Sequence, residues 1–311
     1  MAKSTGQQKR GRRIDGWIVL DKPQGITSAH AVAKIKRALD AAKVGHGGTL
    51  DPLATGLLPI ALGGATKMVP YIMDGTKIYH FTLRFGEARD TDDAEGAIVA
   101  TSDVRPTDET MTERLSAFRG SIMQVPPAFS AIKVNGERAY DLARAGAPPD
   151  LPPRPAQIDR FDLIDRPDPD HAVFEVASGK GVYMRSLARD LARALGTVGH
   201  ISALRRLAVG PFRIADAITL DNLARNDHSP ASEPNFVLPV ETALADIPAL
   251  ALTDTEVAAL RNGLAISLLD FRGRLPVEAD PDNGLVRGMA GHRFVVLGRL
   301  GDGLLRSERF I

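Results

Sequence analysis

The chain contains no cysteine. That excludes disulfides, thiol nucleophiles and thiolate zinc sites, and it fits a reducing compartment, so the expected setting is the cytoplasm. Aromatic side chains are scarce, with one Trp and four Tyr in 311 residues. A sugar groove walled by stacked rings, as a glycoside hydrolase uses, is therefore disfavoured. No apolar run is long enough to span a bilayer, which argues against a membrane partner. The first residues are rich in Lys, Gln and Arg and have no apolar stretch of the kind a secretory signal needs. Metal-site patterns are missing too: there is no HExxH motif and no Cys/His cluster. Gly63-Gly64-Ala65-Thr66-Lys67 lacks the spacing of a phosphate-binding Walker loop.

A large net charge is also lacking, at +1. The charge is nevertheless uneven. Residues 1–13 carry Lys3, Lys9, Arg10, Arg12 and Arg13 with no acid, and read as a disordered basic tail. Residues 180–213 carry Lys180, Arg185, Arg189, Arg193, Arg205, Arg206 and Arg213 against one acid, Asp190. On charge alone this second segment reads equally as a phosphate footprint or as a solvated helix face.

Local patterns mark out the elements. Trp17–Leu20 reads as a short strand, and Thr27 or Ser28 as the cap of a helix running to about Leu39. Leu57–Leu62 is a buried strand or helix segment, which periodicity leaves open. Tyr79, Phe81, Leu83 and Phe85 alternate with His80, Thr82 and Arg84, as on a half-buried strand. Residues 107–119 read as helix, and Ala172–Ala177 as strand. A further helix carries Leu187, Leu191 and Leu195 on one side and Arg185, Arg189 and Arg193 on another, with Gly196 as its stop. Residues 125–155, rich in Pro and Gly, are too long for a plain connection and read as a functional insertion. A polar linker is expected near 225–236. Thr253-Asp254-Thr255-Glu256 has a capping-box pattern, and strand-like Arg293–Leu297 and a terminal strand follow.

The densest signal is Gly45-His46-Gly47-Gly48-Thr49-Leu50-Asp51-Pro52-Leu53-Ala54-Thr55-Gly56-Leu57-Leu58-Pro59. Glycine frees the backbone for turns, and Pro52 holds Asp51 out of helical geometry. An isolated Asp-Pro in a loop is usually a turn residue. Here the fifteen residues resemble the catalytic loop of the bacterial tRNA pseudouridine-55 synthases, the TruB family. The resemblance runs over about residues 14–220 with every motif in order. It implies the pseudouridine synthase fold, an α/β (α+β type) architecture with a mixed, largely antiparallel sheet flanked by helices. It also implies a small C-terminal β-rich, PUA-like RNA-binding domain. The corresponding division is a tail 1–13, a catalytic domain 14–230 with an RNA-clamping insertion at 125–155, and a C-terminal domain 237–311.

The implied activity is isomerisation of the uridine at position 55 in the tRNA T-loop, with the base flipped out. That reaction breaks the N1–C1′ bond and rejoins the base through C5. A carboxylate suits the first step, as in glycosidases. Uracil is a stabilised leaving group, so one Asp suffices and neither a metal nor an organic cofactor is required. The resemblance gives Asp51 the role of nucleophile. Lys77-Ile78-Tyr79 resembles a second motif, whose Tyr stacks on the target base; by pattern alone Tyr79 is a core aromatic. Stacking of this kind is worth about 1–3 kcal/mol per base and offsets part of the cost of flipping.

Gly179-Lys180-Gly181-Val182-Tyr183-Met184-Arg185 resembles a third motif, with Val182 and Met184 as departures. It places Tyr183 in the substrate pocket and pairs Arg185 with the nucleophile, an arrangement that favours a charged carboxylate. Without the motif, Arg185 reads as a surface helix arginine. Arg89-Asp90-Thr91-Asp92-Asp93-Ala94-Glu95-Gly96 resembles the acidic turn in which Asp93 completes an Asp–Arg–Asp network; its spacing is not that of an EF-hand. Asp21-Lys22-Pro23 resembles the motif whose Lys22 and Pro23 brace the active-site loop. His46 is assigned to T-loop contact. In Ala203-Leu204-Arg205-Arg206-Leu207, Leu204 is assigned to the base pocket and the arginines to phosphate. The expected partner is the tRNA T-arm, with no obligatory protein partner and a monomeric enzyme. Two alternatives remain at this point: a tRNA-binding folding chaperone, and a guide-RNA-dependent relative.

Overall fold

A computed structural model describes residues 11–134, 136–225 and 235–311. Most of the expected basic tail and of the linker near 225–236 lies outside these residues. At Arg12 the expected disorder does not hold, because its backbone pairs with residues 40–42 (Arg12 N to Asp40 O, 2.5 Å; Ala42 N to Arg12 O, 2.9 Å).

The chain opens with β1 (Gly16–Lys22), a turn, and α1 (Ser28–Ala38). Thr27 caps α1 by accepting from the His30 amide at 3.1 Å. The helix buries Ser28, Ala31 and Ile35 and leaves Lys34, Lys36 and Arg37 exposed. Next come β2 (Val44–His46) and β3 (Thr55–Leu62), so the apolar run that periodicity left open is a strand. It is buried on both faces, which is why it shows no alternation. α2 (Val69–Asp74) leads into β4 (Lys77–Phe85), whose Phe81, Leu83 and Phe85 face the core. A hairpin of β5 (Glu87–Arg89) and β6 (Ile98–Thr101) follows, then α3 (Asp108–Leu115) and β7 (Gly120–Gln124). The Pro- and Gly-rich excursion holds a small hairpin, β8 (Lys133–Val134) and β9 (Glu137–Arg138), and the short α4 (Ala139–Arg144). β10 (Arg154–Asp168), β11 (His171–Ser178), α5 (Met184–Ala194), β12 (Gly199–Val209) and β13 (Phe212–Arg213) complete the main layer.

The main sheet runs β1-β3-β12-β4-β11-β10-β7, with β2 on β3 and β13 on β12. Its pairings are antiparallel except β3–β12. That parallel contact sets residues 55–56 of β3 beside residues 205–206 of β12 in the centre of the sheet. Phe81, Phe161 and Phe174 pack at centroid distances of 5.3–5.9 Å beneath the helices. Behind β1, β3 and β13, a second cluster holds Trp17 against Phe212 at 5.3 Å, and the Trp17 indole donates to the Val240 carbonyl.

A separate five-stranded sheet forms the C-terminal β-rich domain, in the order β14-β16-β17-β18-β15. These strands are β14 (Ala249–Ala251), β15 (Ile266–Ser267), β16 (Leu285–Ala290), β17 (Arg293–Gly301) and β18 (Leu304–Phe310). The helix Asp254–Arg261 carries the capping box, with Thr253 and Glu256 bonded reciprocally. The hydrogen bond from Arg274 to Glu256 holds that carboxyl down at about 2. The final strand docks on the segment before β4: Lys67 donates to the Phe310 carbonyl, and the Tyr71 hydroxyl meets Glu308 at 2.9 Å. Among the described residues no helix is long and apolar enough to cross a membrane.

Candidate active site

The loop between β2 and β3 is held from three sides. At its far end, the fully buried Lys22 ammonium donates to the carbonyls of Pro23, Ile26 and Pro52, and Gly25 N donates to Pro52 O. From α1, the Ser28 hydroxyl accepts from Leu50 N at 2.8 Å and donates to Leu50 O at 3.0 Å. From β12, the Arg206 guanidinium donates to the carbonyls of Leu57, Gly48 and Thr49. The loop needs Gly48 at φ +117, where a side chain is strained. Asp51 is thus fixed through its neighbours while its own side chain stays 41% exposed.

Arg185 stands at the first turn of α5 with its side chain only 7% exposed. One guanidinium nitrogen lies 2.9 Å from Asp51 Oδ2, and the other lies 3.5 Å from Asp93 Oδ2. Its remaining bonds go to the carbonyls of Thr91 and Phe129. Asp93 is buried and accepts from Thr91 Oγ1 at 2.6 Å and from Glu95 N. An arginine so enclosed cannot turn away, so Asp51 presents one oxygen to Arg185 and keeps the other side open.

A cavity of about 900 Å³ opens over Asp51. Tyr79, Tyr183, Leu204 and Arg206 line it, as do Phe129 and Tyr140 from the insertion. Gln124 fixes Tyr183 by bonding both its amide and its carbonyl. Burial pushes the Tyr183 hydroxyl above its ordinary pKa. The structure therefore brings Asp51, Tyr79, Asp93, Tyr183, Arg185 and Leu204 to one cavity. Lys22 and Pro23 lie behind the loop and off the cavity wall. His46 lies on β2 and is also off the wall; its Nδ1 is buried and, among the described residues, has no hydrogen-bond partner. Burial, reinforced by the charge of Arg206, lowers its pKa.

The basic segment 180–213 needs correction. Arg185 is consumed by Asp51 and Asp93, Arg189 by Asp92 and Asp190, and Arg205 by Asp21. Arg206 is 2% exposed and bonded to carbonyls. Arg206 is therefore turned inward, whereas Arg205, paired with Asp21, keeps 40% of its side chain exposed; the stripe through Arg185 and Arg189 is not a solvated face. The sequence contained a signal for Arg206: on β12, residues 204, 206 and 208 alternate inward, so Arg206 shares the face of Leu204. Phe129, Tyr140 and Arg144 were missed as well. Tyr140 packs edge-on to Phe129 at 6.0 Å, and Arg144 lies 4.7 Å above its ring. Nothing local in a Pro- and Gly-rich stretch announces that packing. Among the described residues no group of three or more His, Asp or Glu could hold a metal ion.

Residues 36–184 match the family profile described as TruB family pseudouridylate synthase (N terminal domain), and residues 185–245 match the tRNA pseudouridylate synthase B C-terminal domain. The tRNA pseudouridine synthase B of Gluconacetobacter diazotrophicus is 67% identical, over 98% of this chain and 100% of that one. The chain belongs to the TruB family. The protein of the same name from Rhodospirillum rubrum is 51% identical over 98% of this chain and 99% of its own. Among solved structures, a Cbf5-Nop10-Gar1 complex matches with a TM-score of 0.74 at 27% identity, covering 95% of this chain and 84% of that one. The TruB-family fold thus extends over both sheets described above.

Proposed function

We infer that this TruB-family enzyme acts on the T-loop uridine at tRNA position 55, with Asp51 as the nucleophile. Formation of pseudouridine from uridine in tRNA is the activity of the family to which the chain belongs. The observation that carries the finer reading is the Asp51–Arg185 pair on the wall of a cavity large enough for a flipped nucleotide. Asp51 attacks C1′ or stabilises positive charge there as the N1–C1′ bond breaks. The base turns and rejoins through C5, and the C5 proton leaves to solvent. Tyr79 stacks on the base, Tyr183 and Leu204 close the pocket, and His46 meets the T-loop. Lys22 and Pro23 brace the loop, and Asp93 steadies Arg185. The insertion at 125–155 clamps the RNA, and the C-terminal sheet acts as a PUA-like RNA-binding domain. The enzyme works as a monomer in the cytoplasm without a protein partner.

The test is tritium release from unmodified tRNA labelled with [5-³H]uridine, without added metal or guide RNA. Release by the wild type and none by Asp51→Asn is expected. Release by both would remove Asp51 from the chemistry. Release by neither, with tight tRNA binding, would favour a folding chaperone or a guide-dependent enzyme.

A further inference from the structure

Arg185, Arg189 and Arg206 of residues 180–213 are taken up inside the protein, while Arg193 and Arg213 stay exposed, so only part of that segment's charge is available to phosphate. The outer face of α1 supplies more. Lys34, Lys36 and Arg37 are exposed, and their charges are unpaired among the described residues. This sets them apart from Arg185, Arg189 and Arg205, each of which meets a carboxylate within 3 Å. His30, Lys34 and Arg37 follow one another at four- and three-residue steps, so they form one stripe. At 1.5 Å per residue that stripe is about 10 Å long. Its far end meets the basic N-terminal segment, because Arg12 pairs with residues 40–42. On the opposite, buried face of the helix, Ser28 holds both backbone groups of Leu50, the neighbour of Asp51, so α1 itself is tied to the catalytic loop at its first turn. Lys34, Lys36 and Arg37 thus put unneutralised cations on the outside of the helix whose first turn is tied to the catalytic loop.

We propose that this face of α1 binds the ribose-phosphate backbone of the RNA stem adjoining the flipped nucleotide. The proposal rests on the T-loop reading above. A nucleotide seated over Asp51 leads its flanking strand past the start of α1, and a stem is a regular array of phosphates. Lys34 and Arg37 neutralise those phosphates and release counterions, so they act on affinity and its salt dependence rather than on base recognition. Lys36 and Arg37 in the last turn also complement the helix dipole, whereas Lys34, in mid-helix, has no such structural reason to be cationic.

The experiment measures binding of an unmodified tRNA transcript across a salt series, together with tritium release, for wild type, K34A/R37A, K34R/R37K and R114A. Arg114 is exposed on α3, away from the stripe. Two lost phosphate contacts lower the slope of log K against log salt by about 1.5–2 and weaken binding about 10- to 30-fold near 0.15 M salt. K34A/R37A should show both changes and a raised KM. K34R/R37K should restore them, and R114A should match the wild type. An unchanged slope and KM in K34A/R37A, with active wild type, overturns the α1 proposal and leaves the T-loop reading standing. Failure of the wild type itself to release tritium overturns the T-loop reading instead.

Discussion

Arg185 touches Asp51 at 2.9 Å and Asp93 at 3.5 Å from a side chain that is almost wholly enclosed. One guanidinium therefore joins an open carboxylate to a buried one. Removing it leaves Asp93, 5% exposed at its side chain, without its cation. Breaking such a pair costs about 3–5 kcal/mol of stability. Arg185→Met should lower the melting temperature and cut tritium release at least about 100-fold. Arg185→Lys should recover part of the stability and little of the rate, because a single ammonium cannot span both carboxylates. Equal recovery of both by Lys would show that charge alone matters.

Arg185 also shows where sequence reading stops. Asp51 and Tyr79 were legible through the motifs that resemble the family, since a lone Asp-Pro reads as a turn and the alternation of β4 reads Tyr79 as a core aromatic. Arg185, spaced with Arg189 and Arg193 along a helix, reads from sequence as solvent-facing. What buries the first two is the acidic turn 91–93, more than ninety residues earlier, folded against α5. The resemblance paired Arg185 with the nucleophile, yet the helical stripe gave no sign of that contact. Arg206 shows the reverse failure: its neighbours suggested phosphate, whereas strand alternation points it inward.

Arg206 is a buried cation bonded to carbonyls on either side of Asp51. Its charge helps to depress the His46 pKa, after burial itself. Arg206→Met should therefore raise the His46 pKa toward its ordinary value, as followed by NMR titration of the ring. It should also slow catalysis about 10-fold or more, because Gly48 and Thr49 lose their anchor. A His46 titration identical to that of the wild type would contradict this placement of Arg206.

Lys22 and Lys77 are both lowered to about 8, chiefly by burial, with Asp51 opposing the shift at Lys22 and Arg206 adding to it at Lys77. A lysine whose folded pKa lies below its unfolded value destabilises the fold while it is charged. Between pH 8 and 10 the unfolded chain holds more protons than the folded one, so these two groups make stability rise with pH. Tyr71, pushed up to about 12 mainly by burial, acts in the opposite sense only above pH 10. Urea denaturation at pH 8, 9 and 10 should show the rise, and Lys77→Met should remove about one proton's worth of its slope. A slope unaltered by Lys77→Met would mean that this lysine titrates normally in the fold.

Gly56 lies at φ +96 on β3, directly beside Arg206 of β12. An added Cβ would stand 2.3 Å from the Arg206 carbonyl oxygen and 2.8 Å from its amide nitrogen, both rigid backbone atoms. The parallel β3–β12 contact would have to open, and with it the anchor that Arg206 gives the catalytic loop. Gly56→Ala should therefore cost about 3 kcal/mol or more and reduce activity along with stability. Gly181 offers the comparison: it has φ +78, but nothing lies within 4 Å of its added Cβ. Gly181→Ala should cost only the backbone strain, about 1–2 kcal/mol. Melting curves of the two variants decide the matter, since equal losses would mean that the close approach of β3 to β12 contributes nothing beyond the dihedral.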